Sequence, residues 1–419
     1  MVKPMIHFDW KIRARAPSTM QAPSTVFAIL DRTLAALARV GIASPRLDEH
    51  VLLDAAERKT GLIDFGHANF CEGLRALLDS ARRDVAFHAF GRLSFYQFVV
   101  NMLSNRLLVR QAHKSLSGNV VPLNPPIIIT GLARSGTTFL HRLLGQDPNS
   151  RVLRLWELLQ PASAANGAGF HRLQTDLQLR LMARIAPELD RKHYVRADTP
   201  EECLILLASS FVSLIYFAMA PLYSYADWYF QQDLAIPYQE YLLQLAILQR
   251  STPNRRLVLK APDHLGALAV LKALLPAAMI VQTHRDPLDC LHSVNSLQLS
   301  LYGLMVREVD AARMAKANLQ QLAREMARNI AYHAAGPNNT CHISYQDLAR
   351  DPMGCVQTIY EQFGLPLSDA FEANIHGYVR QNPRGAGGVH HYQKERFGLR
   401  DEEILEQFAP YREHFGQYL

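Results

Sequence analysis

The sequence predicts an α/β fold: a parallel sheet flanked by helices, with an N-terminal helical region and a helical insertion. Three observations carry that prediction. A β-branched run, Ile127 to Ile129, passes through a glycine-bounded loop into an apolar helix opening at Thr137. A second apolar strand, Met279 to Val281, turns at Asp286-Pro287 into another helix. Further short apolar strands alternate with helical stretches, the pattern that places helices on both faces of parallel strands.

Residues 25 to 116 read mostly as helix, with apolar spacing at Val26, Ile29, Leu30, Leu34 and Leu37 and again from Leu74 to Leu116. No linker rich in Gly, Ser or Pro follows, so residues 1–120 are expected to pack on an α/β domain spanning 121–419. The first strand and its helix, carrying Phe139, Leu140, Leu143 and Leu144, lead into a helical insertion over about 150–250. Within it, Cys203 to Tyr223 carries no charge over a length sufficient to cross a bilayer. Its serines, Pro221 and position inside one domain favour a buried helix lining an apolar pocket over a transmembrane helix, with a membrane-facing patch making peripheral membrane contact as the middle possibility. Leu257 to Lys260 then reads as a strand, Leu265 to Leu275 as its crossover helix, Met279 to Thr283 as the next strand and Cys341 to Ser344 as a later one.

The loop between the first strand and helix, Gly131 to Thr138, has the frame G-x-x-x-x-G followed by two hydroxyl residues. Backbone N–H groups in such a turn, with those of the first helical turn, converge on one point and favour a phosphate. Thr137 stands where a nucleoside-triphosphate loop requires lysine, and the basic residue is Arg134, inside the loop. That set suits a 5'-phosphate bearing one further charged group better than a triphosphate with magnesium.

The LARSGTT segment resembles the 5'-phosphosulfate loop of sulfotransferases that use 3'-phosphoadenosine 5'-phosphosulfate (PAPS). In that family an arginine at a later strand end and a serine eight positions on bind the 3'-phosphate; Arg285 and Ser293 match. A guanidinium offers several fixed donors to one phosphate, and a hydroxyl in the following helix closes on it. Asn382 to Leu399 resembles the late glycine and basic loop lying over the nucleotide. The resemblance implies a P-loop-like sulfotransferase core over about residues 125 to 400. It also implies a donor site drawn from Arg134, Ser135, Gly136, Thr137, Thr138, Arg285, Ser293 and Tyr392. PAPS is the expected donor co-substrate, and no metal is expected.

The reaction so implied moves a sulfuryl group to a hydroxyl, less readily an amine, of a hydrophobic small molecule or lipid. Arg134 and Lys260 are the expected cations. Glu157, in RLWELL, is the first choice for the base, because it resembles the glutamate following this helix in bacterial and tyrosine-sulfating relatives. His264, after Lys260, is the rival, and Glu201 and Glu202 come third, since paired acids at a helix start usually complement its N-terminal charge. A P-loop small-molecule kinase and a non-catalytic nucleotide-binding protein are the alternative functions.

A net charge of +6 suits anionic ligands, but the basic residues are dispersed, so no nucleic-acid partner is indicated. The five cysteines lack paired spacing, which points away from a disulfide framework or zinc site and toward a reducing cytoplasm. The N-terminal segment lacks the long apolar core of a secretory signal. Oligomeric state stays open.

Overall fold

The computed structural model describes residues 24–42, 45–115, 123–164, 169–192, 194–336, 339–382 and 397–419. Its centre is a five-stranded, all-parallel sheet: β1 (Ile127–Gly131), β2 (Ser150–Val152), β3 (Arg256–Lys260), β4 (Met279–His284) and β5 (Thr340–Ser344), in the order β2-β3-β1-β4-β5. Every residue of β1 is buried, as a strand covered by helices on both faces requires. Register sets Ile128 opposite Leu259 on one side and Ile280 on the other. From β1 the chain fills one side of the sheet with β2 and β3, then crosses to β4 and β5. The crevice outside the carboxyl ends of β1, β3 and β4 is therefore where a ligand is expected in such a sheet.

The strand β2 is not legible in the sequence. Ser150-Arg151-Val152 follows Pro148 and reads as a turn, and only pairing to Arg256, Leu257 and Val258 makes it a strand.

The N-terminal helices are α1 (Thr25–Arg39), α2 (Glu49–Thr60), α3 (Phe70–Asp84) and α4 (Ala89–Ser115). The apolar faces of α2, α3 and α4, including Leu52, Leu77, Phe95 and Leu103, share one core with Ala208, Phe211, Tyr216 and Leu222 from the insertion. A buried Arg106 on α4 also forks onto both carboxylate oxygens of Glu240, at 2.6 and 2.5 Å. Removing one partner of such a buried pair typically costs about 3–5 kcal/mol, so this contact fastens α4 to the Ala235–Gln249 helix.

The segment Cys203 to Tyr223 corrects the expectation of a single buried helix. It is buried, but broken: a helical turn at Leu204–Leu207, a 3-10 turn at Ala208–Ser210, then Ile215–Met219. Phe211 takes a left-handed backbone, φ 60°, between them. The Ser209 and Ser210 hydroxyls donate to the Leu206 and Leu207 carbonyls, and the Tyr225 hydroxyl donates to the Phe211 carbonyl at 2.8 Å. Side chains that satisfy the backbone locally compete with helix continuation. Among the described residues, no helix is long and apolar enough to cross a membrane.

The C-terminal Ala409–Phe415 helix packs behind β4 and β5 through histidines. His284 hydrogen-bonds Tyr411 at 2.9 Å and His342 at 2.8 Å, and His333 meets Gln282 at 3.0 Å. Burial pushes the imidazole of His284 down to about 2 and those of His333 and His342 down to about 4.

Candidate active site

β1 ends at Gly131, whose backbone, φ 141°, lies in the region that favours glycine. A Cβ there would stand 2.4 Å from the Thr283 carbonyl oxygen, so the close approach of the loop to β4 needs glycine. Ser135 completes that join: its hydroxyl donates to the Leu132 carbonyl at 2.6 Å and lies 2.7 Å from the Thr283 hydroxyl. Gly136, φ 93°, caps α5 (Thr137–Leu144) without any side-chain hydrogen bond. The first-turn N–H groups of α5 thus keep the polarity of an anion-binding helix end.

Arg134 takes the left-handed conformation, φ 75°, rare for a residue with a side chain. Its Nε donates to the Ser293 hydroxyl at 3.0 Å, joining residues 159 positions apart. Arg285 donates to the Arg134 carbonyl at 3.1 Å, lies over the Tyr345 ring and pairs with Asp289 at 3.2 Å. The three residues singled out from two separate motifs are therefore one cluster. A cavity of about 500 Å³, lined by Arg285, Asp289, Tyr345, Arg412 and Leu419 among others, opens beside it.

On the opposite side of the loop, Lys260 ends β3 with its side chain 1% exposed. Its ammonium donates to the Thr138 hydroxyl at 3.2 Å and to Glu202 Oε1 at 2.7 Å. Asp263 lies in the same field: burial, then the Glu202 charge, push its carboxyl up, while Lys260 pulls it down. Glu325 is also pushed up, by burial and by Asp263. A cation thus stands between the phosphate loop and a small group of acids.

The expected bases are placed differently. Glu157 is buried on α6 (Leu155–Leu159), where it accepts from the Arg154 N–H at 2.8 Å and pairs with Arg151. Arg151 in turn donates to the Leu248 carbonyl at 2.6 Å, so Glu157 caps a helix and fastens β2 to its neighbour. His264 is fully buried, with Tyr238 2.8 Å from Nδ1 and Cys203 3.3 Å from Nε2. Burial holds its imidazole down at about 3. Among the described residues, no hydrogen bond from either side chain reaches the loop. Tyr392 lies outside the described residues, as does most of the Asn382 to Leu399 segment. Glu202, third choice from the sequence, and Asp263, which the sequence does not single out, are brought to Lys260 only by the fold.

The donor set fits the anion it is expected to hold: a capless helix start, two arginines, a lysine and two hydroxyls surround one loop. Residues 125–369 match the profile of the group described as "Sulfotransferase family". The chain belongs to the sulfotransferase family. Its structure is similar to that of sulfotransferase STF1 from Mycobacterium tuberculosis H37Rv, with a TM-score of 0.76 and 31% identity over 88% of this chain and 100% of that one. It also resembles sulfotransferase STF9 from Mycobacterium avium, with a TM-score of 0.80 and 24% identity over 88% of this chain and 96% of that one. In sequence it is 23% identical, over 71% of this chain and 74% of the relative, to omega-hydroxy-beta-dihydromenaquinone-9 sulfotransferase Stf3 of Mycobacterium bovis and of Mycobacterium tuberculosis.

Proposed function

We propose that this chain transfers the sulfuryl group of PAPS to a hydroxyl on a hydrophobic, lipid-like acceptor. The observation that carries the reading is the meeting of Arg134, Arg285 and Ser293 at the ends of β1 and β4. Arg285 and Ser293 are assigned to the 3'-phosphate, and Arg134 with the loop Ser135 to Thr138 to the 5'-phosphosulfate. The relative that acts on an omega-hydroxy menaquinone derivative supports an alcohol on a long apolar body as the acceptor class. A cytoplasmic location goes with this reading.

In the proposed step the acceptor oxygen attacks sulfur, and the bond from sulfur to the 5'-phosphate oxygen breaks. The bisphosphate leaves with that electron pair, and the acceptor proton passes to a carboxylate. Lys260 and Arg134 offset charge that grows on the sulfuryl and leaving oxygens, where fixed cations in a water-poor site act most strongly. Glu202 is assigned as the base in place of Glu157 or His264. It shares Lys260 with the loop, whereas Glu157 caps a helix and His264 is sealed in the core.

Calorimetric titration with 3',5'-adenosine bisphosphate, against ATP with magnesium, tests the donor half. Metal-independent bisphosphate binding that weakens in Arg285→Ala is the expected result. Preference for ATP with magnesium would overturn the reading in favour of a kinase.

A further inference from the structure

The large hydrophobic side chains left exposed among the described residues are not scattered. All but Ile63 fall in two segments, 26–42 and 170–194. On the Gly169–Ile185 helix, Phe170, Leu173, Leu177 and Leu181 are 73%, 66%, 68% and 54% exposed. Their spacing of three, four and four residues puts them on one face. On α1, Val26, Ile29 and Leu37 are exposed likewise, as is Val40 just past its end, while Phe27 turns inward. The two helices meet where the Ser24 hydroxyl donates to the Ile185 carbonyl at 2.6 Å. An apolar face of this kind is a contact surface rather than ordinary scatter.

Charge indicates what covers it. The two helices carry Arg32, Arg39, Arg172, Arg180 and Arg184 against Asp31 and Asp176, a formal excess of three positive charges (5 − 2), of which Asp198, paired with Arg172, offsets one; Arg180 pairs with Asp176 at 2.7 Å. Asp31 is turned inward, accepting from the Phe90 N–H at 2.9 Å. A second copy related by a two-fold axis would oppose this positive face with itself, which like charge disfavours. An anionic lipid surface is complementary to both properties, and a helix with leucine and phenylalanine on one face and arginine beside it is suited to lie in such an interface.

The face is also joined to the site. Arg172 donates to Asp198 at 2.8 Å, and the strand-like stretch that follows is tied by Thr199 to the Leu155 N–H and by the Glu201 N–H to Leu153. Glu202, the partner of Lys260, is next in the chain.

We propose that the exposed face of α1 and the Gly169–Ile185 helix docks this protein on an anionic lipid bilayer, from which its acceptor is drawn. The acceptor clause rests on the function proposed above; the docking clause does not. Flotation of the full chain with phosphatidylcholine vesicles, with and without phosphatidylglycerol, reads docking without donor or acceptor. The wild type should partition to the mixed vesicles, and Leu173→Ser/Leu177→Ser and Arg180→Glu/Arg184→Glu should each weaken that partitioning about tenfold or more. Bisphosphate affinity should be unchanged in both, since neither pair touches the loop. Wild-type protein that stays off mixed vesicles, or variants that bind them equally well, would overturn docking. A dimer in sedimentation that Leu173→Ser/Leu177→Ser converts to a monomer would instead assign the face to a second copy. A failed bisphosphate titration beside successful flotation would sink the enzymatic reading and leave docking standing.

Discussion

The two sides of the crevice, proposed above for donor and for acceptor, are built in opposite ways. On the donor side the chain supplies a short contiguous loop, residues 131–138, and a second strand end at Arg285, joined by the Arg134 side chain on Ser293 and the Arg285 side chain on the Arg134 carbonyl. On the other side Lys260 ends β3, Asp263 follows it three residues later, Glu202 lies just before the Leu204–Leu207 turn of the insertion and Glu325 is on the Ala311–Ala334 helix. A site built on a contiguous loop tolerates little variation and leaves a motif. A site made of side chains from distant elements leaves none.

The largest effect is expected where that contrast is sharpest, at the base. Glu202→Gln should lower turnover about 10²- to 10⁴-fold, the usual worth of a positioned general base. Bisphosphate affinity should stay close to wild type, and a single-turnover assay with labelled PAPS reads the two quantities separately. Full activity in Glu202→Gln with loss in Glu157→Gln would return the base to α6 and erase the distinction.

Next comes the donor side itself. Arg285→Ala should weaken bisphosphate binding by about 1.5 to 3 kcal/mol, the scale of lost hydrogen bonds to a charged group. Because Arg285 also holds the Arg134 carbonyl, part of that loss is loop geometry, and Arg285→Lys should recover less than charge alone predicts. Equal affinity in all three proteins would remove the 3'-phosphate assignment.

How much was legible follows the same division. The strands β1, β3, β4 and β5 are apolar runs bounded by turn residues and were visible within a residue or two. That Arg285 and Ser293 belong together was legible because both lie in one chain segment at a spacing that resembles the family's; the structure brings both to Arg134. The edge strand β2 was not, because Ser150 and Arg151 are strand residues only by virtue of β3. The break at Phe211 was not either: it depends on the Tyr225 hydroxyl, and hydropathy cannot register a hydrogen bond from fourteen residues away. Glu157 ranks above Glu202 in the sequence because it resembles the glutamate after this helix in related sulfotransferases, whereas paired acids at a helix start usually complement its charge; only tertiary structure reveals that Glu202 meets the strand-end Lys260 and Glu157 meets Arg151.

If Glu157 is structural, its removal should be read in stability. Glu157→Gln removes a buried charge from beside Arg151 and weakens the cap of α6, a loss of about 1–3 kcal/mol for a group of this kind. Urea unfolding should show a lower midpoint with an unchanged slope, and turnover below the transition should be retained. Unaltered stability together with lost turnover would contradict the capping account.

The smallest expected effect concerns acid, and it too separates the two sides. His284, His333 and His342 cluster behind β4 and β5, whereas His264 and His141 are enclosed near Lys260, His141 against the Val258 carbonyl of β3. In the unfolded chain a histidine titrates near about 6.5, and burial holds these three at about 2, 4 and 4 in the folded protein. The unfolded state therefore binds more protons as pH drops below about 6.5, so their contribution to stability is complete above that pH and declines toward pH 4. Each fully shielded histidine adds a slope of at most about 1.4 kcal/mol per pH unit, and half-buried His333 adds less because solvent screens it. His342→Gln keeps a hydrogen-bonding group opposite His284 Nε2 while removing one titrating ring. It should narrow the stability difference between pH 7.5 and pH 5 by about 1 kcal/mol, measured by urea unfolding at both values. A pH dependence identical to wild type would place the acid-sensitive groups elsewhere, with His264 on the acceptor side the next to replace.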